Sequence, residues 1–198
     1  MCKHRRWIKA ATGALALCLL CSILGIYGQA QGVRDSVVRL HVLANSDSTA
    51  DQTLKLQVRD AVTEAAADWP LEVENADQAA ALARERLPQI QAVAQQTVAA
   101  AGYNYPVTVT LDDIYFTTRQ YDTVTLPAGI YRAVQVTIGE GKGQNWWCVM
   151  YPPLCVGGAT GGPESFNSAQ QDYVQGGTKY RVRFWLVEWV ETFLQMFR

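Results

Sequence analysis

The sequence predicts an α+β domain that follows an N-terminal export segment. Apolar residues recur with helical spacing in some regions and alternate with polar residues in others, and a long uncharged stretch precedes all of them. We expect a mainly antiparallel sheet of about four strands. A helix near the start of the domain, a long or proline-split alanine-rich helix and a C-terminal amphipathic helix are expected to pack on this sheet.

The first 30 residues have the outline of a signal peptide. Residues 1–9 are basic, the stretch from Ala10 to Tyr27 has no charged residue, and small residues follow at Gly28 and Ala30. The apolar stretch, about 18 residues, is also just long enough to span a bilayer. We therefore expect residues 1–30 to be a cleaved signal peptide or an N-terminal membrane anchor (residues 10–27), and residues 31–198 to form one exported domain.

Charge is distributed unevenly between these two parts. Four of the 17 basic residues lie in the first 30 residues, which contain none of the 18 acidic ones. The exported domain is therefore acidic, and an acidic domain is repelled by nucleic acid and by anionic lipid. We expect no nucleic-acid partner, and membrane contact only through the N-terminal segment.

The first half of the domain predicts one strand and two helices. Residues 37–43 are β-branched and partly alternating, and the cap residues Ser48 and Asp51 open a helix that should stop at Trp69-Pro70. Asn75 opens the alanine-rich helix. Pro88 either divides it into residues 75–87 and 88–101 or kinks one continuous helix.

The second half predicts further strands and a final helix. Residues 107–111, 131–138 and 145–151 alternate with a period of two, and the glycine-rich residues 139–143 predict a hairpin turn. Because both faces of residues 145–151 are apolar, we expect that strand to be central. Residues 157–177 predict a long mobile loop. Residues 182–197 predict an amphipathic helix that packs on the core or, alternatively, faces a partner or a membrane.

Two cysteines remain in the exported domain, Cys148 and Cys155. Outside the reducing cytosol, this spacing predicts a disulfide that closes a short loop. Two free buried thiols are the alternative. A metal site would need more ligands than the single domain histidine, His41, supplies.

No catalytic set is recognisable. His41, Ser46, Asp47 and Asp51 include the residue types of a serine hydrolase, but no Gly-x-Ser-x-Gly turn occurs. Strand-end and helix-cap roles explain them better, with recognition by an exposed loop as the alternative. The glycine-rich turn lacks the Gly-Lys-Ser/Thr order of a phosphate-binding loop. We expect no enzyme activity, cofactor or metal.

Several stretches resemble the stage II sporulation protein R family. They are RLHVLANSDS at residues 39–48, DQTLKLQVRD at 51–60, LPAGIY at 126–131, IGEGKGQNWWCVMYPPLC at 138–155 and VRFWLVE at 182–188. The resemblance covers nearly all of residues 33–198 and is weakest at 157–177.

This resemblance implies a signalling protein of endospore formation. Such a protein is secreted from the forespore into the space between the septal membranes, where it activates a membrane-embedded aspartic protease of the mother cell and so triggers processing of the sigma-E precursor. The alternatives are an exported structural or binding module of the envelope and, less favoured, a cell-wall hydrolase.

The choice of receptor-binding residues rests on chemistry alone. Polar residues near one strand end and an aromatic residue at a turn would suit a protein interface. The candidates are Arg39, His41, Asn45, Ser46, Asp47, Lys142, Asn145 and Trp146. We expect replacement of Arg39 or Lys142 by alanine to reduce signalling with little loss of folding stability.

Overall fold

The computed structural model describes residues 2–67, 73–121, 124–152, 166, 168–175, 185, 187–193 and 196, without the side chains of residues 2–6, 8–10, 169, 172 and 173. Its helices are α1 (Cys2–Asp35), α2 (Thr49–Ala67), α3 (Ala76–Ala100) and α4 (Ser168–Gln175). Its strands are β1 (Val38–Leu43), β2 (Val107–Phe116), β3 (Arg119–Tyr121), β4 (Val124–Leu126), β5 (Gly129–Ile138) and β6 (Asn145–Tyr151). Residues 185 and 187–193 are also helical, and we call them the C-terminal helical segment.

The main sheet has four strands in the order β2-β5-β1-β6, and β3 and β4 form a separate hairpin. β2 pairs antiparallel with β5, and β1 pairs antiparallel with β6. The α+β class and the mainly antiparallel sheet are confirmed. The sheet is nevertheless mixed, because the central pair, β1 and β5, is parallel.

Two predictions about β6 are corrected by this order. β6 lies at an edge of the four-stranded sheet, and β1 takes the central place that the sequence predicted for β6. β5 and β6 are not hairpin partners either, because β1 lies between them. The glycine-rich connection 139–144 therefore crosses over the end of β1, next to the loop that leaves this strand.

Each face of the sheet carries its own core. On one face, α2 and α3 pack through Leu54, Val58, Ile90 and Val98 against Leu40 and other strand residues. On the opposite face, Phe116, Tyr131 and Val149 pack with residues from α1, α4, β4 and the C-terminal helical segment, and we call this cluster the second core. Alternation along the central strands supplies both cores, because successive side chains point to opposite faces.

The helices mostly match their predicted positions. Ser48 caps α2 by accepting a hydrogen bond from the Asp51 amide (3.1 Å), and Asn75 caps α3 by accepting one from the Gln78 amide (2.9 Å). α3 is continuous, with Pro88 inside it. The predicted stop at Trp69-Pro70 lies outside the described residues.

The predicted loop at 157–177 contains structure that the sequence analysis missed. Residues 168–175 form α4, and Phe166 and Val174 are buried in the second core. A segment with few apolar residues can still be ordered where two of them reach an existing core. The rest of that loop lies outside the described residues.

α1 combines an exposed apolar part with an end that belongs to the domain. Residues Ala11–Asp35 are long and apolar enough to cross a membrane, with an 18-residue stretch of mean hydropathy 1.9, properties that a signal sequence shares. Leu15, Leu17 and Leu24 are exposed. By contrast, Ala30 and Val33 are fully buried in the second core.

Candidate functional site

Two loops meet at the end of β1 and form what we call the two-loop surface, residues 44–48 and 139–146. The Gly143 amide donates to the Ala44 carbonyl (2.9 Å), and the Lys142 amide donates to the Asn45 carbonyl (3.2 Å). The Gln144 amide donates to Asp47 Oδ1 (2.7 Å). The crossing of the 139–144 connection over β1 is what brings these two segments together.

Gly143 allows this close approach. A Cβ atom at this position would lie 2.2 Å from the Ser46 carbonyl oxygen and 2.9 Å from the Ala44 Cβ, so neither loop could keep its place. Gly139 has φ +59°, a backbone conformation that favours glycine, and the Asn45 Oδ1 fills the space beside it. The two glycines therefore allow the 139–144 connection to lie directly against the loop that follows β1.

Asp51, at the start of α2, fixes the conformation of the first loop, residues 44–48. Its Oδ2 accepts hydrogen bonds from the Ser46 hydroxyl (2.5 Å) and from the Asn45 side-chain amide (2.9 Å). These hydrogen bonds, the one from Ser46 first, lower the pKa of the Asp51 carboxyl, because they stabilise its charged form. Asn45 and Ser46 are thus half-buried residues that shape the surface.

Lys55, one turn further along α2, holds the second loop. Its Nζ donates to the Gln144 carbonyl (3.0 Å) and to Gln52 Oε1 (2.5 Å), and the residue is buried. Burial lowers the pKa of the Lys55 amine, an effect that the nearby Asp47 carboxylate opposes. Lys55 was not among the predicted site residues. Its signal in the sequence is the spacing of four residues from Asp51, which places both side chains on one helix face.

The exposed part of the surface offers mixed charge and one aromatic ring. The Lys142 Nζ lies 2.7 Å from Glu140 Oε2, and both side chains are exposed. This pair raises the pKa of Lys142 and lowers that of Glu140. Trp146 is 38% exposed, with the Arg59 guanidinium carbon 4.4 Å from its ring centre. Such an aromatic with adjacent charges is typical of a protein interface.

A shallow groove adjoins this surface and extends it towards β2. Its lining residues are Asn45, Ser46, Tyr105, Pro106, Gly139, Glu140 and Lys142. Tyr103 and Tyr105 stack with ring centres 5.4 Å apart beside it. Asp47, Lys142, Asn145 and Trp146 of the predicted candidates therefore lie exposed on one continuous region, with Asn45 and Ser46 beneath them.

Arg39 and His41 are not part of this region, which corrects their predicted place in a polar patch. Both lie on the face of the sheet that carries the second core. Arg39 is fully buried there and His41 is 6% exposed. The Arg39 guanidinium carbon lies 3.9 Å from the centre of the Phe116 ring, and its Nη2 donates to the Tyr121 hydroxyl. The β3–β4 hairpin, which carries Tyr121, covers the face that alternation alone would leave to solvent.

The environment of Arg39 and His41 is aromatic and apolar. The His41 ring packs edge-on against Phe116 (5.7 Å) and Trp147 (6.1 Å), and its Nδ1 lies 3.3 Å from Gln135 Oε1. Burial lowers the pKa of both Arg39 and His41 because it penalises their charged forms. Because Arg39 is buried in this environment, the structure predicts a larger loss of stability on its replacement than the sequence did.

The hydrolase-like residue types do not converge. The Ser46 hydroxyl donates to Asp51, whereas His41 contacts Gln135 and aromatic rings on the other face of the sheet. Among the described residues, no group of three or more His, Cys, Asp or Glu side chains could hold a metal ion. The geometry of the two-loop surface suits recognition of another macromolecule.

Cys148 is buried and disulfide-bonded, and Cys18 and Cys21 on α1 are free and exposed. Cys155 lies outside the described residues, so its pairing with Cys148 stays a prediction.

Comparison with known proteins agrees with the resemblance seen in the sequence. A sequence model of the family described as stage II sporulation protein R matches residues 34–160. Stage II sporulation protein R of Bacillus subtilis (strain 168) is 42% identical over 123 residues, which cover 62% of this chain and 55% of that relative. The match thus spans little more than half of the relative's length. No solved structure matches.

The family match covers most of the chain and includes both loops of the two-loop surface, α2 with Asp51 and Lys55, and all six of the described strands. The chain therefore belongs to the stage II sporulation protein R family.

Proposed function

We propose that this chain is an exported signalling protein of endospore formation. It passes from the forespore into the space between the septal membranes and activates a membrane-embedded aspartic protease of the mother cell, which then processes the sigma-E precursor. Membership of the stage II sporulation protein R family carries this proposal. The apolar helix α1 supports export, since by the positive-inside rule its basic start stays in the cytoplasm and the domain crosses the membrane.

The two-loop surface is the receptor-binding region in this proposal. It is held in one conformation by hydrogen bonds to Asp51 and Lys55, so little ordering entropy is lost on binding. Its exposed groups, Lys142, Glu140 and Trp146, supply a charged pair and an aromatic anchor. Binding that is tighter to the active arrangement of the protease than to the inactive one would shift the population towards the active form.

The export step is tested in cells that contain the protease and the sigma-E precursor. The full chain should give precursor cleavage, and a chain that lacks residues 1–30 should give none, since it stays in the cytoplasm. The deletion also removes residues 26, 27 and 30, which pack with the domain, so it changes folding contacts as well as export. A second variant should therefore keep α1 but replace Leu17 and Leu20, both exposed, by Asp. Cleavage that persists with a cytoplasmic, folded variant would contradict the proposal.

The surface is tested by alanine variants of exposed residues. Lys142→Ala and Trp146→Ala should each reduce cleavage several-fold and weaken direct binding to the protease in parallel, without changing protein level. Arg86→Ala is the matched control, because Arg86 is also exposed and lies on α3, away from both loops. Variants that bind the protease normally and yet fail to activate it would refute a simple population shift.

A further inference from the structure

The C-terminal helical segment presents a stripe of aromatic side chains to the outside. Trp185, Trp189 and Phe193 follow one another at intervals of four residues and are 62%, 59% and 49% exposed. The rings of Trp189 and Phe193 stack with centres 5.9 Å apart. Large exposed apolar patches of this kind mark sites that interact with another protein or with a membrane.

The opposite side of the same segment is fixed to α1. Glu191 Oε1 accepts a hydrogen bond from Arg34 Nη1 (2.6 Å) and from the Tyr27 hydroxyl (3.0 Å), and the ion pair with Arg34 is buried. Val187 is buried, and with Val190 it lines a small cavity shared with residues 23, 26 and 27 of α1. The aromatic stripe is therefore held beside the last part of the exposed apolar helix.

The length of α1 places this contact at one boundary of a bilayer. Trp7 is 72% exposed near the start of α1, and Tyr27 lies 20 residues later. At about 1.5 Å per residue this separation is about 30 Å, the thickness of the hydrocarbon core. Trp and Tyr concentrate at both membrane interfaces. The stripe lies at the level of Tyr27, the interface nearest the domain.

We propose that the C-terminal helical segment lies in the interfacial layer of the membrane that α1 spans, with Trp185, Trp189 and Phe193 in contact with lipid. In this proposal the lipid bilayer, and not another protein, covers the aromatic stripe. The proposal requires that α1 is retained, and the packing of Ala30 and Val33 into the core and the Tyr27–Glu191 hydrogen bond favour retention. It goes beyond the signalling role, since it concerns how the domain sits on its own membrane.

Charge also indicates how the segment is attached. The polar residues described at 187–193 are Glu188, Glu191 and Thr192, without a basic side chain. Helices that bind membranes by charge alone use Lys and Arg on the polar face. Attachment here depends instead on the neighbouring α1, so lipid contact should not require anionic lipid.

The test uses the full chain reconstituted in phosphatidylcholine vesicles, with acyl chains brominated either near the headgroup or near the chain end. Bromine quenches indole fluorescence on contact, and subtracting the spectrum of Trp189→Phe from that of the wild type isolates the emission of Trp189. This emission should lose most of its intensity with shallow bromine and less with deep bromine. Trp146→Phe is the matched control: Trp146 is at the end of the sheet remote from α1, and its emission should not be quenched.

Three outcomes would overturn the proposal. Emission of Trp189 that is quenched by aqueous acrylamide and not by bromine would show a stripe exposed to water. Emission quenched by neither would show a stripe covered by protein, such as a second copy of the chain. Stronger quenching by deep bromine than by shallow bromine would place the segment inside the hydrocarbon core. Trp189→Phe keeps an aromatic ring at an exposed position, so loss of folding should not obscure the result.

Discussion

Replacement of Arg39 tests the most consequential difference between sequence and structure. Arg39 is fully buried against the rings of Phe116 (3.9 Å) and Tyr131 (4.9 Å). Arg39→Ala removes this packing, and truncation of a large core side chain to alanine costs about 2 to 5 kcal/mol. A desolvated cation over an aromatic ring adds about 2 kcal/mol. Relief of a buried charge offsets part of the loss, because Nε and Nη1 of Arg39 have no hydrogen-bond partner among the described residues.

We therefore expect Arg39→Ala to lower the free energy of unfolding by about 3 kcal/mol. Arg39→Met keeps most of the volume and removes the charge, so its effect should stay within about 1 kcal/mol of the wild type. Urea unfolding of the full chain in detergent micelles, followed by tryptophan fluorescence, measures both values. A loss below about 1 kcal/mol for Arg39→Ala would refute the buried position, since surface changes are that small. Equal losses for both variants would show that guanidinium contacts outweigh the cost of burial.

Two further predictions concern the support of the two-loop surface. The pKa of Asp51 is lower in the folded chain than its usual value of about 3.9, so its carboxylate stabilises the fold above about pH 4 and loses that effect as the pH falls through the folded pKa. Asp51→Asn should flatten the decrease in stability on the acid side, measured by urea unfolding at several pH values; an unchanged pH profile would contradict the assigned hydrogen bonds. Gly143→Ala should cost about 1 to 3 kcal/mol, because the added Cβ meets the Ser46 carbonyl. Its control, Gln144→Ala, keeps the backbone contacts and should change stability by less than about 0.5 kcal/mol.

Local patterns were sufficient to predict most helices and strands. Cap residues gave the starts of α2 and α3, and alternation gave β2, β5 and β6, because both signals arise from neighbours in the chain. Strand order depends on contacts between distant segments. Nothing in residues 129–151 indicates that β1, nearly 100 residues earlier, lies between β5 and β6, so the short glycine-rich connection was interpreted as a hairpin.

The same limit explains which of the predicted candidates the structure brings together. Alternation shows that Arg39 and His41 share a face of β1, but whether that face is covered depends on the β3–β4 hairpin, two strands of three residues each. Strands this short give almost no periodic signal. Asn45 and Asp47 were selected as polar residues at a strand end and Lys142 as a residue of a predicted turn, and the position of these segments between strands does not need the strand order. Their proximity to one another, by contrast, follows only from the crossover.

The sheet also separates the two proposed surfaces. β5 begins at Gly129, whose neighbour Ala128 accepts a hydrogen bond from Arg34 of α1, and it ends at Ile138, next to the two-loop surface. Ten residues of strand extend about 33 Å. If α1 is anchored in a membrane, the sheet therefore places the two-loop surface at the end of the domain away from that anchor. In the proposed function, the domain would then have its membrane contact at one end of the sheet and the two-loop surface at the other, as a ligand needs in order to reach a receptor in a second membrane.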